Sequence, residues 1–129
     1  MKQFVVFGED RVGELARVVE ALAQNAINVR GLATDRCAGK PTVRVVTDDE
    51  ASTRSALSGA GFRFEESEVV VIDLMDRPGE IAKVARRAAI AGMNIDSVFL
   101  IGKKGTPASI AMSTGDPKKV KAFMDAASK

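Results

Sequence analysis

Hydrophobic residues along this chain follow two periods that recur twice in the same order. Short β-rich runs such as "FVVF" and "VVVIDL" precede stretches in which apolar residues return every three or four positions. Those stretches predict amphipathic helices, and their expected buried stripes are Leu15, Val18, Val19 and Leu22 in the first and Ile81, Val84, Ala85 and Ala88 in the second. Two further β-rich runs and a second helix follow in each half.

The recurrence extends to the residues themselves. A shift of 66 positions superposes "DRVGELARVVEALAQNAINV" (10–29) on "DRPGEIAKVARRAAIAGMNI" (76–95) without a gap. Self-similarity at a fixed spacing is the mark of a duplicated structural unit. We therefore expect two repeats, at residues 1–66 and 67–129.

Each repeat has the element order of a ferredoxin-like unit, an α+β fold in which an antiparallel sheet carries its helices on one face. In the first repeat a final run, "FRFEE", completes the βαββαβ pattern, whereas the second lacks an evident last strand before Lys129. The last helix of the second repeat is predicted over "DPKKVKAFMDAA". Because a unit of about 60 residues buries little surface alone, we expect the repeats to pack together and the chain to form a homodimer.

Composition narrows the function. A net charge of +2 from 19 basic and 17 acidic residues provides no strong field for nucleic acid or an anionic membrane. The first apolar run is too short for a signal peptide or a membrane span, which predicts a cytoplasmic protein. With one cysteine and no histidine, an internal disulfide and a Cys/His zinc cluster are excluded, and we expect no metal and no cofactor.

The turn that opens the first helix of each repeat combines groups suited to a zwitterion. Backbone N–H groups at a helix start lack intrahelical partners and favour a carboxylate, and glycine lets it approach. A preceding aspartate suits an ammonium group, and an asparagine 18 positions after it can donate and accept. We expect these groups to be neighbours at the sheet rim. They are Asp10, Gly13 and Asn28 in the first repeat and Asp76, Gly79 and Asn94 in the second.

The same residues also have a structural interpretation. Aspartate before a helix is a common cap, Pro78 suits a first helical turn, and Glu14 and Glu80 favour helix initiation. The asparagines, in turn, suit turn backbone. Recurrence of the whole set at a fixed spacing favours binding over capping.

The two long stretches resemble the signature of the ACT domain, a regulatory module that binds amino acids in many biosynthetic enzymes. The resemblance covers essentially the whole chain and implies a free-standing, non-catalytic tandem ACT protein. Its ligand would be a small amino acid bound where two ACT units meet, and its partner an amino-acid biosynthetic enzyme or regulator. The implied ligand-binding residues are Asp10, Gly13, Glu14, Leu15 and Asn28, with Asp76, Gly79, Glu80, Ile81 and Asn94.

Two departures from the family pattern affect this interpretation. Val12 stands where the family usually has proline, so we expect a less rigid first turn and a weaker or vestigial first site. The missing last strand of the second repeat puts the usual side-by-side pairing of units in doubt. Specificity for the ligand's side chain is expected from apolar neighbours such as Leu15, Ile81 and Val98.

Three other functions compete with this one. An enzyme is disfavoured because the chain lacks histidine and tyrosine and shows no nucleophile beside a recognisable base. RNA binding is disfavoured because the chain has no tryptophan or tyrosine and its six phenylalanines form no cluster for base stacking. A module that contacts another protein without a small ligand stays open.

Overall fold

A computed structural model describes residues 1–37, 39–102, 108–114 and 123. The chain folds into two compact units, unit 1 over Met1–Ser67 and unit 2 over Glu68–Lys129. The elements of unit 1 are β1 (Lys2–Phe7), α1 (Glu14–Gln24), β2 (Val29–Cys37), β3 (Lys40–Thr47), α2 (Glu50–Gly59) and β4 (Arg63–Glu68). Those of unit 2 are β5 (Val70–Leu74), α3 (Glu80–Ile90), β6 (Ile95–Ile101) and β7 (Ala108–Thr114).

The sheet of unit 1 has the strand order β4-β1-β3-β2. Strands β1 and β2 are both antiparallel to β3, and Phe4 and Leu32 both align with Val45. β2 and β3 form a hairpin that closes where Cys37 pairs with Lys40. This order and the alternation of strands and helices confirm the predicted α+β, ferredoxin-like fold.

One face of the unit 1 sheet carries both helices. Alternate residues of β1 and β3 point to that face and enclose apolar side chains of α1 and α2, because successive strand residues point to opposite sides. The shared core consists of Phe4, Val6, Val18, Leu22, Ile27, Val43, Val45, Ala56 and Leu57. Helix α2 begins at an N-cap, Asp49, whose carboxylate accepts a hydrogen bond from the Ser52 N–H at 3.0 Å.

Unit 2 repeats this plan as far as it is described. Strand β7 pairs antiparallel with β5 and with β6, in the order β6-β7-β5. Its core consists of Val70, Leu74, Val84, Ala88, Met93, Ile110, Met112 and Phe123. Phe123 is helical and buried, in agreement with the predicted last helix. The other residues of that predicted helix, with its stripe residues Val120, Met124 and Ala127, lie outside the described residues. The end of the chain, where no last strand is expected, also lies outside them.

The predicted helix stripes are buried in part, and the largest departures lie in the first helical turns. Val18, Leu22, Val84 and Ala88 are buried as predicted, whereas Leu15 and Ile81 in the first helical turns are 40% and 51% exposed. Ala85 is exposed and Val19 is half-buried. None of the helices within the described ranges has the length and apolar character needed to cross a membrane.

Candidate functional site

The turn between the first strand and the first helix has the same backbone in both units. Gly13 and Gly79 are the helix N-caps, with φ of 89° in each and ψ of 1° and −9°. This left-handed conformation is one that glycine adopts without a steric penalty. Neither helix receives a side-chain cap, so Asp10 and Asp76 are not capping residues. Val12, in place of the family's proline, leaves the turn backbone unchanged.

Substituting either N-cap glycine is expected to destabilise its turn. Gly13→Ala and Gly79→Ala each place a β-carbon on left-handed backbone, which lowers the free energy of unfolding by about 1–2 kcal/mol. The added carbon meets no atom within 4 Å at either position, so the loss reports backbone strain. Gly59→Ala is the matched control, because Gly59 also has open space and lacks a positive φ. Urea denaturation measures all three; an equal loss in Gly59→Ala would contradict this assignment.

In unit 1 the carboxylate of Glu14 folds back into the turn. Its Oε2 accepts a hydrogen bond from the Glu9 N–H, and its Oε1 lies 3.4 Å from Arg11 Nη2 and 3.5 Å from Arg17 Nη1. Gly8 makes room for it, since a β-carbon there would approach Glu14 Cγ to 2.8 Å. Glu14 is buried, so an internal carboxylate occupies part of the space that we expected a ligand to use.

Two further amides of this turn are also engaged. The N–H of Arg11 donates to the Glu9 carbonyl at 2.9 Å, and that of Glu14 to the Arg11 carbonyl at 3.4 Å. The expectation of free N–H groups for a ligand carboxylate therefore does not hold at Glu9, Arg11 and Glu14. Guanidinium groups beside the turn, those of Arg11 and Arg36, are further partners for a carboxylate.

The equivalent residue of unit 2, Glu80, is arranged differently. Its Oε1 accepts from Arg77 Nε at 2.7 Å and from Lys83 Nζ at 3.1 Å. These hydrogen bonds hold the pKa of the Glu80 carboxyl below its usual value, and the bond from Arg77 contributes most. Buried Leu74 occupies the position that aligns with Gly8. The two turns thus share a backbone and differ in where the glutamate points.

A cavity of about 370 Å³ lies beside the turn of unit 1. At its edge Arg36 Nη1 lies 2.9 Å from Asp10 Oδ1, an ion pair that joins the turn to the end of β2. The complete lining is Glu9, Asp10, Arg11, Glu14, Leu15, Thr34, Asp35, Arg36, Pro41 and Val43. Sequence reasoning missed Arg36, because its counterpart in the second repeat is Gly102 and a search for repeated residues overlooks it.

The asparagines lie far from the turns of their own units, contrary to expectation. At one end of β3, Thr42 pairs with the last residue of β1; at the other, Thr47 pairs with Val29, which follows Asn28. At about 3.4 Å per residue these two ends are about 17 Å apart. In unit 2, Leu74 pairs with Ala108 and Ile95, after Asn94, pairs with Thr114, which gives a similar separation. The first two strands of each unit run parallel, so the end of the first strand and the start of the second lie at opposite ends of the sheet.

The turn of unit 2 lies among different residues. Asp76 is exposed and has no hydrogen bond or ion pair with any residue that the structure describes. Ile81, Val98 and Leu100 are exposed apolar side chains of the same unit. Another pocket, more open than that of unit 1 and about 410 Å³ in volume, is lined by Gly79, Ala82, Lys83, Arg86 and Arg87. Over the described ranges, no three His, Cys, Asp or Glu residues are grouped to hold a metal ion.

A duplicated ferredoxin-like unit with the same glycine turn before each first helix defines a class of tandem α+β modules. The family model described as "ACT domain pair" matches residues 1–124. The chain belongs to this family, as its resemblance to the ACT signature implied.

Solved structures with this fold include regulatory proteins. A protein from Bacteroides thetaiotaomicron aligns over 98% of this chain and 88% of its own, with 24% identity and a TM-score of 0.85. The ligand-free regulatory subunit of aspartate kinase from Thermus thermophilus aligns over 97% and 88%, with 19% identity and a TM-score of 0.70. The corresponding subunit from Thermus flavus aligns over 97% and 91%, with 20% identity and a TM-score of 0.58. A search of curated proteins finds no significant match.

Proposed function

We propose that this ACT domain pair is a non-catalytic sensor that binds a small amino acid and passes its bound state to a metabolic enzyme or regulator. The observation that carries the proposal is the cavity beside the unit 1 turn, where Asp10 and Arg36 present opposite charges 2.9 Å apart above apolar side chains. A zwitterion complements such a pair, with its ammonium on the carboxylate and its carboxylate on the guanidinium. Aspartate kinase regulatory subunits of the same fold support a regulatory role.

The asparagines enter this proposal in a restricted way. Because Asn28 and Asn94 lie at the end of the sheet opposite their own turns, neither can share a small ligand with that turn. A ligand that touches both a turn and an asparagine therefore needs them from different units, either within the chain or in a second copy. The proposal of a site between units therefore includes Asn28 or Asn94 only if the turn that it accompanies belongs to another unit.

A homodimer remains part of the proposal. Unit 2 exposes the apolar side chains of Met75, Ile81, Val98 and Leu100. Exposed apolar patches of this kind are common at protein contacts, and a second copy would cover them. The same observation favours the alternative function, a ligand-free module that contacts another protein.

A thermal-shift screen of the full chain against the twenty L-amino acids tests the proposed function. An amino acid that binds only the native state adds about 2.7 kcal/mol at a concentration 100 times its Kd, which is a readily measured rise in Tm. We expect a rise for at least one small amino acid. If none of the twenty changes the Tm, the sensor proposal is wrong and the contact module is favoured.

The asparagine variants refine the same screen. Asn28→Ala and Asn94→Ala change exposed side chains, so their Tm without amino acid should stay close to that of the parent. Loss of the ligand-induced rise in either variant would support an asparagine contact. A rise that both variants retain would remove the asparagines from the site and leave the rest of the proposal intact.

A further inference from the structure

We propose that the face of α3 that points away from the unit 2 core is a docking surface for an acidic segment of a partner protein. This surface, the basic stripe, consists of residues three or four positions apart, which share one side of the helix: Lys83, Arg86, Arg87 and Ile90. The inference rests on the proposed function for the existence of a partner, and it names the surface and the chemistry of that contact.

The basic stripe lies opposite the buried side of its helix. Val84 and Ala88 belong to the unit 2 core, whereas all four residues of the stripe are exposed. The three cations line the pocket of about 410 Å³ together with Gly79 and Ala82, whose small size leaves room between the long side chains. A partner side chain can therefore enter between the charges.

Two of the three cations have no internal partner in the part of the chain that the structure describes. The side chains of Arg86 and Arg87 make no hydrogen bond or ion pair with any residue there. Lys83 Nζ lies 3.1 Å from Glu80 Oε1, which also lies 2.7 Å from Arg77 Nε, so one carboxylate serves two cations. Since guanidinium groups bind carboxylates through paired hydrogen bonds, an acidic partner can occupy both arginines without breaking a contact of the fold.

Helix α1 occupies the equivalent place in unit 1 and has a different charge. Over equal lengths, α3 has three basic residues and one acidic residue, whereas α1 has one basic residue and two acidic ones. The shift of 66 positions aligns Arg86 with Glu20 and Ile90 with Gln24, both of which are exposed. Because α1 forms the same helix on the same N-cap conformation, the fold does not require the basic stripe.

The spacing of the cations also opposes helix stability. Arg86 and Arg87 lie three and four positions after Lys83, so like charges are neighbours on the helix surface and weaken it. The helix dipole favours Arg87, which lies in the last turn, but it does not account for Lys83 and Arg86. Charges that helix stability does not explain are typical of a surface that meets opposite charge on a partner.

The end of the stripe favours a protein over a nucleic acid as the partner. Ile90 is 80% exposed, and phosphate groups offer it no apolar contact. Protein contacts, in contrast, combine arginine with apolar side chains. The three cations lie within about 6 Å along the helix axis, which provides fewer phosphate contacts than nucleic-acid binding proteins use. The partner segment therefore places carboxylates on the cations and an aliphatic side chain on Ile90.

Fluorescence anisotropy with the full chain tests this surface with labelled peptides of equal length. The probe is a helical peptide of Ala-Glu-Glu-Leu repeats. Repeats of Ala-Gln-Gln-Leu lack its charge and should bind at least tenfold more weakly, whereas repeats of Ala-Glu-Glu-Ser lack its apolar side chains and should bind at least threefold more weakly. A DNA duplex of random sequence is expected to bind more weakly than the acidic probe.

Two variants copy the residues of α1 onto the basic stripe. Arg86→Glu, which copies Glu20, should weaken binding of the acidic probe at least tenfold. Ile90→Gln, which copies Gln24, should remove the difference between the leucine and serine peptides. Lys40→Glu makes the same charge change at an exposed position of β3 and, as the matched control, should leave the Kd within twofold. Because these side chains are exposed, a Tm no lower than that of the parent verifies that the variants fold.

The docking surface is refuted if Arg86→Glu retains the parent affinity, if Lys40→Glu loses as much, or if the DNA duplex binds more tightly than the acidic probe. It is also refuted if Arg86→Glu separates a dimer of the parent chain in sedimentation velocity, since the stripe would then contact a second copy. None of these outcomes changes the rise in Tm with an amino acid, so the sensor proposal is judged separately. Peptide binding without any such rise would leave the docking surface and refute the sensor.

Discussion

Replacing Phe4 by alanine lowers the free energy of unfolding by about 3–5 kcal/mol. The Phe4 side chain is fully buried in the unit 1 core, and its ring centroid lies 5.9 Å from that of Phe64 on β4. Truncation removes apolar surface from contact with the rest of this core and leaves a cavity that the sheet cannot close. Urea denaturation followed by circular dichroism measures the change as a lower midpoint.

Ile90→Ala is the control for this prediction. Ile90 lies at the end of α3 and is 80% exposed, so its truncation should change stability by less than about 0.5 kcal/mol. Comparable losses in Phe4→Ala and Ile90→Ala would contradict the placement of the core. A loss confined to Phe4→Ala would agree with two helices packed on one face of the unit 1 sheet.

Removing the Glu14 carboxylate has the second largest expected effect. Glu14→Ala leaves the Glu9 N–H without its acceptor and deprives Arg11 and Arg17 of a partner, which lowers the free energy of unfolding by about 1–3 kcal/mol. Glu14→Gln keeps an acceptor for the N–H and should lose less. Chemical denaturation of the two variants and the parent provides the measurement.

Glu80→Ala is the matched substitution in unit 2. The partners of Glu80 are the exposed side chains of Arg77 and Lys83. Ion pairs with exposed partners contribute little to the free energy of unfolding. Its loss should therefore be smaller than that of Glu14→Ala. If the two alanine variants were equally destabilised, the distinct position of the Glu14 carboxylate in the first turn would be refuted.

Much of the fold could be predicted from the sequence because the signal was local and occurred twice. Apolar spacing located α1 and α3, the glycines marked the turns at their starts, and the repeated order of elements indicated a ferredoxin-like unit. The first helical turns were the exception. Leu15 fits the apolar period, yet it lines the cavity of unit 1, and period alone does not distinguish a core from a pocket wall.

The arrangement of the site was harder to predict because it depends on strand direction and on single residues. A helix of 11 residues is about 16 Å long, so α1 returns the chain to the opposite end of the sheet before Asn28. Asp10 and Asn28, 18 positions apart, are therefore separated by the length of the sheet. Arg36 has no counterpart in the second repeat, and the inward direction of Glu14 depends on the space above Gly8.

Duplication explains how one chain came to hold two different turns. Both units keep the N-cap glycine, a preceding aspartate and a glutamate at the first helical position, which the backbone and helix start favour. Around them, Thr34 aligns with Leu100 and Arg36 with Gly102, so polar lining residues of unit 1 are replaced by apolar ones in unit 2. The two copies therefore keep the same fold and differ in the residues around the turn.

Two-dimensional ¹H–¹⁵N NMR of the full chain, titrated with an amino acid that raises the Tm in the thermal-shift screen, tests the central claim most directly because each amide reports its own environment. The largest concentration-dependent shifts are expected at residues 9–15 and 34–36, on the two sides of the Asp10–Arg36 pair. The claim that the first turn holds the ligand would be contradicted by shifts confined to residues 75–81. It would also be contradicted if the titration reached saturation while the signals of residues 9–15 and 34–36 did not move.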